Sequence, residues 1–158
     1  MTLPISYLKI NDNIAEIEKE KEIQEQEVIK EKDVIFDFEK GRFVYDGLEP
    51  KRIYTKIEII KQWIKKLFHT ERDRWNCYIK DVGYPFGLNL YKYVGQQLYP
   101  NMDLIELIKN DIYNSLLNHK DIKEVHYLQL IQIDDKMYCG FIIELEDTAF
   151  ETEEVLTN

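Results

Sequence analysis

The sequence predicts an α+β domain, a small and mostly antiparallel sheet made by an N-terminal and a C-terminal hairpin and packed with about three helices. Three observations carry this. Two apolar runs, VIFDF and RFVYD, flank Glu39-Lys40-Gly41. Two stretches, 55–68 and 103–118, repeat apolar residues at helical spacing. The run 125–146 turns at Asp134-Asp135-Lys136 and then alternates. Strands and helices do not alternate as βαβ units, which argues against a doubly wound parallel sheet.

Taken in order, residues 1–10 are mixed. Residues 11–33 hold nine acids and four bases, with a thin apolar stripe that breaks at Lys21 and Gln24. This composition fits an acidic arm or tether over 1–33, partly helical alone and fixed in an assembly. The domain proper then runs from 34 to 146. Gly41 supplies the positive φ that a short hairpin turn needs, and Asp46-Gly47 ends the second strand. Thr55-Lys56-Ile57-Glu58 reads as a capping box opening a helix to about Phe68. Ile57, Ile60, Ile64, Leu67 and Phe68 form its buried face, bordered by Trp63.

Gly83, Pro85 and Gly87 mark a turn-rich loop after His69. A short helix is expected from about Leu88 to Val94, ending at Gly95. A further helix begins near Asp103, expected as its N-cap, and carries Leu104, Ile105, Ile108, Ile112, Leu116 and Leu117. VHYLQLIQI, 125–133, is apolar on both faces, as for a strand with neighbours on both sides or beneath another layer. In the following strand Met137, Cys139, Phe141, Ile143 and Leu145 alternate with Tyr138, Gly140, Ile142, Glu144 and Glu146. Residues 147–158 form an acidic, extended C-terminal tail.

Composition narrows the function. With 158 residues the chain makes one domain with a real core. Acids outnumber bases 30 to 21, giving a net charge of -9. That disfavours nucleic acid or an anionic membrane as partner, because binding phosphate needs clustered Lys and Arg. The eleven Tyr and seven Phe fill a core or anchor interfaces. The N-terminus lacks a basic region followed by an apolar run, and no apolar run approaches membrane-spanning length. The chain is therefore expected in a cytoplasm unless it leaves within a larger particle. Cys77 and Cys139 are expected as reduced, half-buried thiols. Together with His69, His119 and His126 they show no metal-ligand spacing, so neither a metal nor a cofactor is expected.

The stretch Gln62–Gly87 is densest in aromatic and charged groups. Its one catalytic candidate is Glu71, with Asp73 and Asp81 near in sequence. A glycosidase needs two carboxylates at a set separation, one with a raised pKa. Arg72 and Arg74 beside Glu71 oppose that rise, so an ion-pair cluster fixing the loop outweighs catalysis, and no catalytic residue is assigned. Arg72 and Arg74, beside Trp75 and Tyr78, suit two roles equally: pinning the loop to its own domain, or anchoring a partner. His69 is expected to meet the last carbonyls of the preceding helix, and His126 to be a packed or rim residue on a strand.

Several residues in order resemble a family signature: Asp37-Phe38-Glu39-Lys40-Gly41 with Phe43, Gln62-Trp63-Ile64 with Leu67, Thr70-Glu71-Arg72, and Tyr84, Phe86 and Gly87. The pattern, over about 34–146, resembles the XkdS-like branch of the sheath-initiator (lysozyme-like small baseplate wedge) family of contractile phage tails and phage-tail-like bacteriocins. The resemblance implies the lysozyme-like baseplate wedge fold and a non-enzymatic protein, assembled in the bacterial cytoplasm into the baseplate of a particle. It also implies six copies around a tube, between wedge and tube, that start the sheath by strand exchange. Sheath, baseplate wedge, and tail tube or hub proteins would be its partners. Thr70, Glu71, Arg72, Arg74, Trp75 and Tyr78 would face the wedge proteins, with Glu71 and Arg72 paired. The strand with Tyr138, Gly140, Ile142, Glu144 and Glu146 would offer the edge for sheath strands, its acids blunting that edge until the partner arrives. Two departures stand out: Thr70 precedes Glu-Arg where the family has Glu-Pro-Arg or Gly-Glu-Arg, and the family core does not explain 11–33. A muralytic glycosidase using Glu71 and an acidic adaptor that captures a basic partner are the rival readings.

Overall fold

The computed structural model describes residues 33–74, 85–93 and 95–156. Almost all of the expected acidic arm, 1–32, therefore lies outside the described residues, as do Trp75, Cys77 and Tyr78. The chain divides into two compact units, Met1–Ile59 and Ile60–Asn158. The fold class is α+β, with antiparallel sheets and, among the described residues, two α-helices.

Among the described residues of the first unit, the expected two-strand hairpin is replaced by six two-residue strands. They are β1 (Asp33–Val34), β2 (Phe36–Asp37), β3 (Arg42–Phe43), β4 (Tyr45–Asp46), β5 (Glu49–Pro50) and β6 (Arg52–Ile53). β2 pairs with β3 across the Gly41 turn, β4 with β5 across the Gly47 turn, and β1 with β6, all antiparallel. A ring of three backbone hydrogen bonds joins the pairs where they meet. Ile35 N donates to the Lys51 carbonyl, Lys51 N to that of Val44, and Val44 N to that of Ile35, at 2.8–2.9 Å. Each chain segment thus changes partner midway, so no pair grows beyond two residues. Asp37 organises the first turn: its Oδ1 accepts from Lys40 N at 3.0 Å and Glu39 N at 3.1 Å. The Lys40 backbone bond, above all, holds its carboxyl below the usual range.

Helix α1 spans Lys56–Phe68. The capping box forms in a modified way: Thr55 Oγ1 accepts from Glu58 N at 3.4 Å and donates to the Glu58 carboxylate at 2.6 Å. In the second unit Ile60, Ile64, Leu67 and Phe68 of this helix are buried. The expected helix at 88–94 is only a 3₁₀ turn, Leu90–Lys92, whose Tyr91 hydroxyl donates to the Phe68 carbonyl at 3.1 Å. Helix α2 spans Met102–Leu117 and starts one cap earlier than expected: Asn101, not Asp103, caps it by accepting from Leu104 N at 3.1 Å. Ile105, Ile108, Ile112 and Leu116 bury its apolar stripe. Neither helix is long and apolar enough to cross a membrane.

The second unit's sheet has three antiparallel strands in the order β7-β8-β9: Glu124–Ile133, Lys136–Glu144 and Ala149–Leu156. Met137, Cys139, Phe141 and Ile143 of β8 are buried as the alternation predicts. Phe141 stacks on Phe68 of α1, centroids 5.9 Å apart. β7 reads as apolar on both faces because a bulge interrupts it. The register shifts between His126 and Gln129, and Tyr127 has φ 53°. The shift lets Val125 and Leu130, an odd number of residues apart, both face the core, while Tyr127, Ile131 and Ile133 are exposed.

Two corrections concern the sheet. Residues 149–156 are not a tail beside the fold but a full strand, paired with β8 from Met137↔Leu156 to Glu144↔Ala149. In consequence β8 is the middle strand. The expected open edge along Tyr138, Gly140, Ile142 and Glu144 is hydrogen-bonded on both sides, and Glu146 lies in the bend beyond it. Among the described residues no strand pairs with the outer edge of β7 or of β9.

Candidate functional site

The Thr70-Glu71-Arg72 segment leaves the end of α1 and is fastened before it reaches the surface. His69 Nδ1 lies 2.8 Å from the Lys65 carbonyl, and the Thr70 hydroxyl donates to that of Lys66 at 2.7 Å. The Lys65 carbonyl also accepts from His69 N at 3.0 Å, whereas the Thr70 hydroxyl serves a carbonyl that the helix end leaves open; His69 meets a last-turn carbonyl as expected. Leu88 N then donates to the Thr70 carbonyl at 2.9 Å and Arg72 N to the Leu88 carbonyl at 3.1 Å, a short parallel bridge between Glu71 and Leu88.

Gly87 makes this approach possible. Its φ is 105°, and a Cβ there would stand 2.8 Å from the Thr70 carbonyl oxygen and 2.9 Å from Arg72 N. Only glycine fits both the conformation and the gap. Next to it, the Phe86 ring meets Trp63 edge-on at 5.7 Å, and Trp63 meets the His119 ring at 4.5 Å.

Arg72 completes the clasp. Its Nη1 donates to Asp111 Oδ1 at 2.6 Å, its Nη2 to Ser115 Oγ at 2.8 Å, and both Nε and Nη2 to the Gly87 carbonyl at 3.1 and 2.9 Å. Asp111 Oδ2 accepts from Asn89 N at 2.9 Å, so one carboxylate ties α2 to both sides of the loop. The planar guanidinium suits this geometry, and the charges are buried but paired and hydrogen-bonded.

Of the six residues expected at a wedge-facing surface, Thr70 is buried and Arg72 is turned inward. The expected Glu71–Arg72 pair does not form: Arg72 pairs with Asp111, and Glu71 accepts from Arg74 at 3.2 Å. Glu71 is half-buried and Arg74 exposed, so of the described expected residues these two face outward, with the exposed Asp73 between them. Asp111 and Ser115 went unnoticed in the sequence. Their signal is faint: two polar residues four apart, running beside the stripe of Ile108, Ile112 and Leu116.

The sheet carries the other expected site. The β8 residues Tyr138, Gly140, Ile142 and Glu144 line its outer face, opposite Cys139, Phe141 and Ile143. A hollow of about 220 Å³ lies over Gly140, between Ile131 and Tyr138 on one side and Ile142 and Glu151 on the other. β9 holds an acid on the inner face: Glu154 is 6% exposed, and burial raises its pKa to about 7. An inward acid on an edge strand is a device that discourages unwanted pairing and weakens the strand's own seat. Cys139, opposite Glu154, is fully buried with its thiol pushed up to about 12 by burial, so it is chemically inert.

No protein-family model matches the chain. The chain is similar to the phage-like element PBSX protein XkdS of Bacillus subtilis (strain 168), with 26% identity over 142 residues that cover 89% of this chain and 94% of that protein. The similarity supports a phage-related family. Because it covers 89% of this chain, it takes in the clasp.

Proposed function

We propose that this chain is a structural, non-enzymatic protein of a contractile phage tail or tail-like particle, joining the baseplate wedge to the tube and starting sheath assembly by strand addition. The observation that carries the reading is the near full-length similarity to a protein of a phage-like element. Two features of the fold agree with it. The clasp spends the Arg72 fork internally and so works as a rigid support that holds Glu71 and Arg74 outward for a wedge protein. The sheet ends in an edge strand, β9, held over a buried acid. A sheath strand adds beside β7 or β9, or replaces β9 and pairs with β8. The last route gives Tyr138, Gly140, Ile142 and Glu144 the exchange role that their middle position otherwise denies them.

Six copies around the tube, assembly in the bacterial cytoplasm, and contacts with sheath, wedge and tube or hub proteins belong to the same proposal. Electron microscopy of particles lacking the gene tests it. The expected result is tubes on baseplates with no ordered sheath; sheaths of normal length and order would refute it.

A further inference from the structure

At the start of β7 the sheet brings together three side chains that the sequence shows only as scattered residues. Glu124 and His126 are two apart on one strand and so share a face. The antiparallel register sets Glu144, the last residue of β8, opposite Glu124. His126 Nε2 lies 2.7 Å from Glu144 Oε2 and 4.0 Å from Glu124 Oε2, and one ligand atom from each of the three falls within 4.8 Å of the others. The bulge begins directly after His126. It fixes where the regular face ends, and the imidazole is the last side chain of that face before the strand shifts.

We propose that Glu124, His126 and Glu144 form a binding site for a divalent transition cation of the Zn²⁺ type. One imidazole nitrogen and two carboxylate oxygens are a donor set such ions accept, and bonds of about 2.0–2.2 Å require donors roughly 3–4 Å apart. The present spacings bracket that range, so small side-chain rotations close the triad around an ion and leave a further position for water. Mg²⁺ or Ca²⁺ would be held poorly, because both favour all-oxygen shells. One group opposes the ion: Lys123 Nζ stands 3.6 Å from Glu144 Oε1. A bound ion would pin the start of β7 to the end of β8, a cross-link independent of any role in a tail particle.

Titration calorimetry of the metal-free full chain with ZnCl₂ tests the site, with thermal melts alongside. The expected result is saturable binding that raises the melting temperature. His126→Ala and Glu124→Gln should each weaken it by at least about tenfold, and Lys123→Ala, which removes the competing ammonium, should tighten it several-fold. Glu124 is exposed, so Glu124→Gln keeps the test valid should His126→Ala unfold. Cys77→Ser should leave the affinity unchanged. No saturable binding below roughly 1 mM, or variants at Glu124 and His126 that bind as tightly as the unaltered chain, would overturn the proposal.

Discussion

Arg72 and Asp111 are 39 residues apart in the chain and 2.6 Å apart in the fold, with side chains only 7% and 10% exposed. Breaking a buried pair by removing one partner leaves an uncompensated charge, at a cost of about 3–5 kcal/mol. Arg72→Ala should lose that much in chemical denaturation. Arg72→Lys should recover little, since an ammonium cannot serve Asp111, Ser115 and the Gly87 carbonyl together. In a double-mutant cycle with Asp111→Asn the two losses should fall well short of adding. Additive losses would mean that the two residues act separately.

Gly87→Ala should destabilise by about 1–3 kcal/mol or more, because φ 105° and a Cβ 2.8 Å from a carbonyl oxygen both oppose it. Gly140→Ala is the contrasting case. A Cβ there meets nothing within 4 Å, and the change should be neutral or stabilising by a few tenths of a kcal/mol. Equal effects of the two substitutions on denaturation midpoints would contradict this account of the loop.

The seat of β9 should depend on pH through Glu154. Its pKa is raised to about 7 in the fold against an ordinary 4.5, so the folded state holds this proton more tightly. The contribution is fully present below about pH 4.5 and is lost as pH rises through about 7. Hydrogen exchange at Thr152–Leu156, corrected for intrinsic rates, should show weaker protection at pH 8 than at pH 6. Glu154→Gln should flatten that dependence and raise the melting temperature at pH 8 by a few degrees. Identical pH profiles for both proteins would remove Glu154 as the cause.

Much of this architecture was legible in the sequence. The stripes Ile60-Ile64-Leu67 and Ile105-Ile108-Ile112 specify both helices, and the alternation from Met137 specifies β8. β9 was hidden because its inward set is Phe150, Thr152, Glu154 and Leu156, where a buried acid breaks the apolar rhythm. The ring of three short pairings in 33–53 was hidden because strands of two residues have no period to read. At the clasp, residue types mark a stretch dense in charge and aromatics but not which way its arginines turn. Arginine beside aromatics looks the same inward or outward, and what turned Arg72 inward is a carboxylate on a distant helix.

Under the proposed structural role, the chain should not clear cell-wall material in a zymogram. Glu71 is paired with the exposed Arg74, and Glu71→Gln should change stability by no more than about 1 kcal/mol. Clearing by the unaltered chain that Glu71→Gln abolishes would restore the glycosidase reading.

The most direct test of the central claim is a cryo-EM map of the native particle at a resolution that traces strands. The expected map shows a ring of this chain at the base of the tube, each copy's β7-β8-β9 sheet hydrogen-bonded to a strand from the first sheath ring. A map that places the chain elsewhere, or shows the first sheath ring making no backbone pairing with it, would contradict the account.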